Sequence, residues 1–125
     1  MNYLSIDYGS KRVGLAFAIN GVIATLPAVA NDQKLIPHLR EIIDKYQISK
    51  IYIGLSYGHF ALVTLEFVKQ LQGVLELPVE TVEEAVSTIE ADEIFEDSRV
   101  KKQKYRTRID SIAAAVILRR VIDSN

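Results

Sequence analysis

The stretch Tyr3-Leu4-Ser5-Ile6-Asp7-Tyr8-Gly9-Ser10-Lys11-Arg12-Val13-Gly14-Leu15-Ala16-Phe17-Ala18-Ile19-Asn20-Gly21 decides the fold. Tyr3 to Asp7 reads as a strand. After Tyr8-Gly9-Ser10 a second strand alternates Val13, Leu15, Phe17 and Ile19 with Gly14, Ala16 and Ala18. One face is large and the other small, and small side chains let a helix approach a sheet closely. Asn20-Gly21 between two apolar runs predicts a two-residue hairpin that returns the chain through Val22 to Val29 as a third antiparallel strand. Val13 to Asn31 holds no charged residue over 19 positions. The Asn-Gly turn in its middle and Pro27 beyond it exclude a membrane-spanning helix.

Beyond Asp32 the spacing changes to a helical period, with Leu35, Leu39, Ile42, Ile43 and Tyr46 forming a stripe and Pro37 near the first turn. Ile51 to Leu55 reads as a short buried strand, residues 59 to 72 as a helix stopped by Gly73, and Leu77 to Val82 as a further strand. Ser87-x-x-Glu90 predicts a helix to about residue 96, and Thr107-x-x-Asp110 predicts the start of the last one, Ile109 to Ile122. Right-handed crossovers make the two later strands parallel to the first. The expected fold is α/β: one domain over residues 1–125, with a mixed five-stranded sheet carrying helices on both faces.

Composition narrows the chemistry. The chain has 125 residues, 49% apolar and 25% charged, with 3 Pro and 6 Gly, as expected of a folded globular domain and not of a disordered or fibrous chain. The absence of Cys excludes disulfides, thiolate zinc sites and a cysteine nucleophile, leaving carboxylates or His38 and His59 to hold any metal. A net charge of -1 conceals a separation along the chain. Nine of the 16 acidic residues fall between Glu76 and Asp97, and six of the 15 basic ones follow at once: Arg99, Lys101, Lys102, Lys104, Arg106 and Arg108. That run reads either as a solvated surface or as a phosphate-binding stretch. The N-terminus does not resemble a secretory signal, so a cytoplasmic protein without a membrane partner, monomer or homodimer, is expected.

Four carboxylates come forward as candidates: Asp7 at the end of the first strand, Glu83 and Glu84 after the last strand, and Asp110 in the first turn of the last helix. Parallel strands share one C-terminal edge, and acids gathered there from distant parts of the chain suit Mg²⁺ or Mn²⁺, hard cations that prefer oxygen. Two such ions about 3.5–4 Å apart activate water and stabilise the leaving oxygen in phosphodiester cleavage. Each acid also has a plain reading: Asp7 as a turn residue, Glu83 and Glu84 as loop surface, Asp110 as a helix-cap partner of Thr107. Ser111-Ile112-Ala113-Ala114-Ala115 favours close docking of the last helix, which would bring Asp110 towards the strand ends.

These residues resemble the YqgF family, also called RuvX, small bacterial proteins described as Holliday-junction resolvases or as nucleases that process the 5′ end of pre-16S ribosomal RNA. Leu4 to Ala16 is similar to the family's Asp-Tyr-Gly-Thr-Lys-Arg-Ile-Gly-Val-Ala signature, and Ile53-Gly54-Leu55 to its Val-Gly-Leu-Pro. Glu83-Glu84-Ala85-Val86-Ser87-Thr88 resembles Asp-Glu-Arg-Leu-Ser-Thr, and Ile109 to Ala114 fits the closing Asp-x-x-Ala-Ala. The resemblance implies a ribonuclease-H-like fold with Asp7, Glu84 and Asp110 as a metal-binding triad and Glu83 as the next candidate. It also implies Mg²⁺ or Mn²⁺ as cofactor and nucleic acid as partner, either structured RNA or branched DNA. Lys11 and Arg12, together with Lys101, Lys102, Lys104, Arg106 and Arg108, are the expected nucleic-acid contacts. Ala85 stands where the family has Arg, and Ser56 to His59 where it has Pro followed by Asp-Gly.

The leading expectation is a divalent-metal nuclease. A non-catalytic nucleic-acid-binding module is the alternative of another class, and the retained acids argue against it. A phosphate-binding ATPase of the actin and sugar-kinase type also begins with Asp-x-Gly-Ser/Thr after a strand, but 125 residues leave no room for its second nucleotide-binding domain.

Overall fold

The computed structural model describes residues 1–55, 59–83 and 105–123, with the backbone alone for residues 59 and 105–110. Strands β1 (Tyr3–Tyr8), β2 (Arg12–Ile19) and β3 (Val22–Ala30) form the expected antiparallel meander. Asn20 and Gly21 both take positive φ, 52° and 81°, the pair that a tight hairpin with right-handed strand twist requires. Helix α1 (Leu35–Tyr46) follows, opened by Asp32, whose Oδ1 accepts the Lys34 N–H at 2.8 Å. Then come β4 (Lys50–Leu55), α2 (His59–Val74), β5 (Val79–Glu83) and the last described helix, α3 (Tyr105–Asp123). The five strands lie in the order β3-β2-β1-β4-β5, with β4 parallel to β1 and β5 parallel to β4.

Strand alternation separates two packing layers. Leu4, Ile6, Val13, Leu15, Ile51 and Ile53 face α1 and α2 and pack with Leu35, Leu39, Phe67, Val68 and Leu71. The opposite face, with Ala16, Ala18 and Tyr52, packs against Ala114, Ile117 and Leu118 of α3. The small face read from β2 is thus the face on which α3 lies.

Three boundaries differ from the sequence reading by two or more residues. Gly73 does not stop α2, which continues to Val74; Gly73 is exposed, and one helical glycine is a modest propensity cost that the packing of Phe67, Val68 and Leu71 outweighs. β5 begins at Val79 rather than Leu77, because pairing starts only after Pro78, which lacks an N–H and contributes its carbonyl to the Ile51 N–H at 3.0 Å. α3 begins at Tyr105 rather than Ile109. Thr107 and Asp110 are therefore inside the helix and not a cap, Asp110 is in its second turn rather than its first, and Arg106 and Arg108 are helical rather than part of a loop. No Gly or Pro stands between residues 105 and 123 to break the helix earlier. The helix expected over residues 87–96 is outside the described residues.

Candidate functional site

Asp7 is the penultimate residue of β1 and half-buried. It lies on the α3 face, two residues beyond Ser5, and its neighbour across β2 is Gly14. On the other side the next position in register after the Ile6–Ile53 pair is Gly54. Glycine thus stands beside Asp7 on both neighbouring strands. At the same end of the sheet Glu83 closes β5, paired with Leu55 at the close of β4. Val82 packs in the α3 layer, whereas Val79 packs in the layer of α1 and α2. By alternation the exposed Glu83 shares Val79's side, the side opposite Asp7. Glu84 lies outside the described residues.

The position of Asp110 follows from its neighbour. Ser111 is buried, and its hydroxyl donates to the Leu26 carbonyl at 2.6 Å while accepting the Leu15 N–H at 3.4 Å. These two groups face each other beside an irregularity in the β2–β3 ladder, where Val13 pairs with Val29 but Leu15 with Leu26. Gly14 on one strand there opposes Pro27 and Ala28 on the other, a β-bulge. The serine hydroxyl bridges the opened ladder and fixes α3 to the row of Leu15 and Ile6. One turn later Ser5 Oγ donates to the Ala114 carbonyl at 2.5 Å, fixing the helix a second time. The helix then runs towards Tyr3 and Ala18, which with Ile122 line one shallow cavity. α3 is therefore antiparallel to β1, and the backbone of Asp110 is on the Asp7 side of Ser111. Sequence reasoning missed Ser5 and Ser111 as anchors; the available signal was a hydroxyl amid the apolar residues Leu4 and Ile6, and another beside the Ala run.

The turn after β1 is also rigidly built. An added Cβ on Gly9 would come 2.4 Å from the Arg12 carbonyl oxygen, so only glycine fits there without a shift of backbone. Asn31 at the end of β3 clamps the same turn, donating its side-chain amide to the Gly9 carbonyl at 2.8 Å and its backbone N–H to the Lys11 carbonyl at 3.0 Å. Lys11 and Arg12 are thus exposed cations on a fixed turn next to the end of β1 that carries Asp7. Asn31 is a third residue the sequence reading did not single out. The backbones of Arg106 and Arg108 belong to the first turn of α3, and Lys101, Lys102 and Lys104 are outside the described residues. Among the described residues no three His, Asp or Glu side chains gather as a metal site, and no helix is long and apolar enough to cross a membrane. At the opposite edge of the sheet Lys50 is held above the ordinary lysine range by hydrogen bonds to Glu80 and Tyr52.

Residues 1–124 match the family profile described as "RuvX: Holliday junction resolvase". The chain belongs to the RuvX family. Among its relatives, proteins named "Putative pre-16S rRNA nuclease" from Halothermothrix orenii and Roseiflexus sp. are 30% and 27% identical to this RuvX chain. The alignments cover 94% and 97% of this chain and 91% and 93% of those proteins. Among solved structures, the fowlpox virus Holliday junction resolvase superposes with a TM-score of 0.60 at 16% identity, covering 99% of each chain. The Thermus thermophilus RuvC in complex with a Holliday junction substrate superposes with a TM-score of 0.54 at 15% identity, covering 97% of this chain and 96% of that one. At these identities the two structures bear on the fold alone, and they show that this RuvX chain has a ribonuclease-H-like fold.

Proposed function

We propose that this protein is a divalent-metal-dependent nuclease acting on structured RNA, with the 5′ end of pre-16S ribosomal RNA as its substrate, and that Asp7, Glu84 and Asp110 form its acidic centre. The observation that carries the reading is the placement of Asp7 in a RuvX chain: at the C-terminal end of β1, between Gly14 and Gly54, under the end of α3 that bears Asp110. Glu83 is on the side of the sheet opposite Asp7, so Glu84, the residue that the family resemblance implies, is kept as the third acid. The end of β5, after which Glu84 follows in sequence, is two strand spacings from β1, roughly 10 Å.

An oxygen-only donor set fits Mg²⁺ or Mn²⁺, and a bound ion of this kind supplies Lewis-acid charge for phosphodiester hydrolysis. The chain's own residues would do the rest. Asp7, Glu84 and Asp110 would hold the ion, Ser111 and Ser5 would keep α3 in register over the sheet, and Lys11 and Arg12 would bind backbone phosphates beside the acids. Phosphate contacts of this type give register and affinity, not base choice.

A branched-DNA substrate is the second reading, favoured by the family's description as a Holliday junction resolvase. Incubating the pure protein with a pre-ribosomal RNA leader, a four-way DNA junction and linear duplexes, each with Mg²⁺, Mn²⁺ or chelator, separates the two. Metal-dependent cleavage of the leader alone supports the first reading, cleavage of the junction alone supports the second, and binding without cleavage of either returns the chain to a non-catalytic module.

A further inference from the structure

On α2, Thr64, Phe67, Val68 and Leu71 are buried against the sheet. The opposite side of the helix carries Leu62, Glu66, Lys69 and Gly73, spaced by four, three and four residues, which places them in one straight row. Leu62 is 66% exposed and its neighbour Leu65 38%, an unusual amount of aliphatic surface for the solvent side of a helix. Gly73, the penultimate residue of α2, is open as well: it has no positive φ, and an added Cβ would meet no described residue within 4 Å. Among the described residues no contact requires a glycine there.

The row is self-complementary. A two-fold axis midway between Glu66 and Lys69 exchanges those two positions and also exchanges Leu62 with Gly73. We infer that α2 is the contact surface for a second copy of this chain, the two helices crossing antiparallel so that each Leu62 seats over Gly73 of the other copy and each Glu66 pairs with Lys69 of the other copy. An unrelated apolar partner would need neither the opposed charges nor the opposed large and small residues at positions that a two-fold axis interchanges. The row is roughly 17 Å long. One helix face of that length buries well under the roughly 800 Å² per partner of a stable dimer, so the association belongs to the weak, reversible class.

Sedimentation equilibrium of the full chain, from micromolar to millimolar concentration, tests this. The average mass should rise towards twice the monomer mass. Glu66→Lys and Lys69→Glu should each weaken association at least tenfold by setting like charges opposite, and Gly73→Leu should abolish it by filling the seat of Leu62. The double variant Glu66→Lys/Lys69→Glu should restore association to within about threefold of the starting protein, because the pair is merely reversed. All four positions are on the solvent side of α2, and a cooperative melt at or above that of the starting protein for each variant verifies that the fold is kept. A monomer throughout the range overturns the proposal, as does a dimer indifferent to the substitutions or a double variant no better than the singles. Cross-links from position 62 to residues 84–104 of the same chain would overturn it too, by showing that an intramolecular segment covers the face.

Discussion

Towards α1 and α2 the sheet presents Leu4, Ile6, Leu15, Ile51 and Ile53, whereas towards α3 it presents Ser5, Gly14, Ala16, Ala18 and Tyr52. The first surface is held by branched aliphatic side chains, whose attraction is strong but non-directional. The second has less apolar volume and instead two hydroxyls with defined partners, Ser5 on the Ala114 carbonyl and Ser111 in the β2–β3 bulge. Burial on the first face stabilises the fold. On the second, directional contacts set where along the sheet α3 stops, and with it the backbone of Asp110 relative to Asp7. Stability and the placement of the proposed acidic centre would thereby be assigned to opposite sides of one sheet.

The largest expected effect tests the site itself. Asp7→Asn should lower metal-dependent cleavage roughly a thousandfold, the equivalent of about 4 kcal/mol of lost transition-state stabilisation. The melting temperature should hold or rise slightly, since one anion is removed from an acidic edge. Single-turnover cleavage beside a thermal melt measures both. Unchanged cleavage would remove Asp7 from the chemistry, and a collapsed melt would mean that this face also carries the fold.

On the other side, Leu71→Ala removes a fully buried side chain from the aliphatic layer and should cost about 2–5 kcal/mol in a denaturant titration. The cleavage rate of the folded protein should stay within a factor of two. A large rate loss at conditions where the variant is fully folded would break the division between the faces.

Ser111→Ala sharpens it. The Leu26 carbonyl and Leu15 N–H lose the hydroxyl that bridges them, so stability should fall by about 1–3 kcal/mol, the cost of leaving buried polar groups unpaired. The rate should fall as well, roughly tenfold in kcat with KM little changed, as expected for a second-layer contact that orients a ligand. Ser5→Ala removes the anchor one turn further from the edge and should cost comparable stability with a smaller rate loss. Equal rate losses for the two variants would show that α3 acts as a rigid whole rather than being positioned locally at Ser111.

Most of the meander could be read from the chain because its signals are local. Asn20-Gly21 specifies its own turn, and the alternation of Val13 to Ile19 with Gly14 to Ala18 specifies both faces of β2. The bulge could not be read, since Pro27 and Ala28 on β3 and Gly14 on β2 make a mismatch only when the strands pair. For the same reason the roles of Ser111 and Asn31 were hidden: their partners, Leu26 and Gly9, are 85 and 22 residues away. Thr107-x-x-Asp110 misled in the opposite way, as a local capping pattern overridden by a helix that starts at Tyr105. Of the acids, Asp7 was legible from the strand end, whereas Glu83, read as following the last strand, is the last residue of β5. The face that each occupies emerged only from Val79 and Val82 packing on opposite sides.

The smallest effect concerns the cations and asks whether the polarity of the α3 face extends beyond the acids. Gly9 and Asn31 fix the backbone beside Lys11 and Arg12, so phosphate contacts made by these residues would need no ordering of the main chain on binding. Lys101, Lys102 and Lys104 precede α3 in sequence, and Arg106 and Arg108 occupy its first turn, where a helix dipole disfavours cations unless an anion stands opposite. If all of these meet the nucleic-acid backbone, replacing Lys101, Lys102 and Lys104 together with Ala should lower the slope of log affinity against log salt by roughly two to three, with little change in stability. Lys11→Ala alone should lower it by about one. Binding titrations at several salt concentrations give both slopes. A normal slope for the triple variant with a reduced slope for Lys11→Ala would confine the contact to the β1–β2 turn. The reverse would place the backbone over the start of α3, and in either case the reduction should be the same for every sequence tested, because phosphates carry no sequence information.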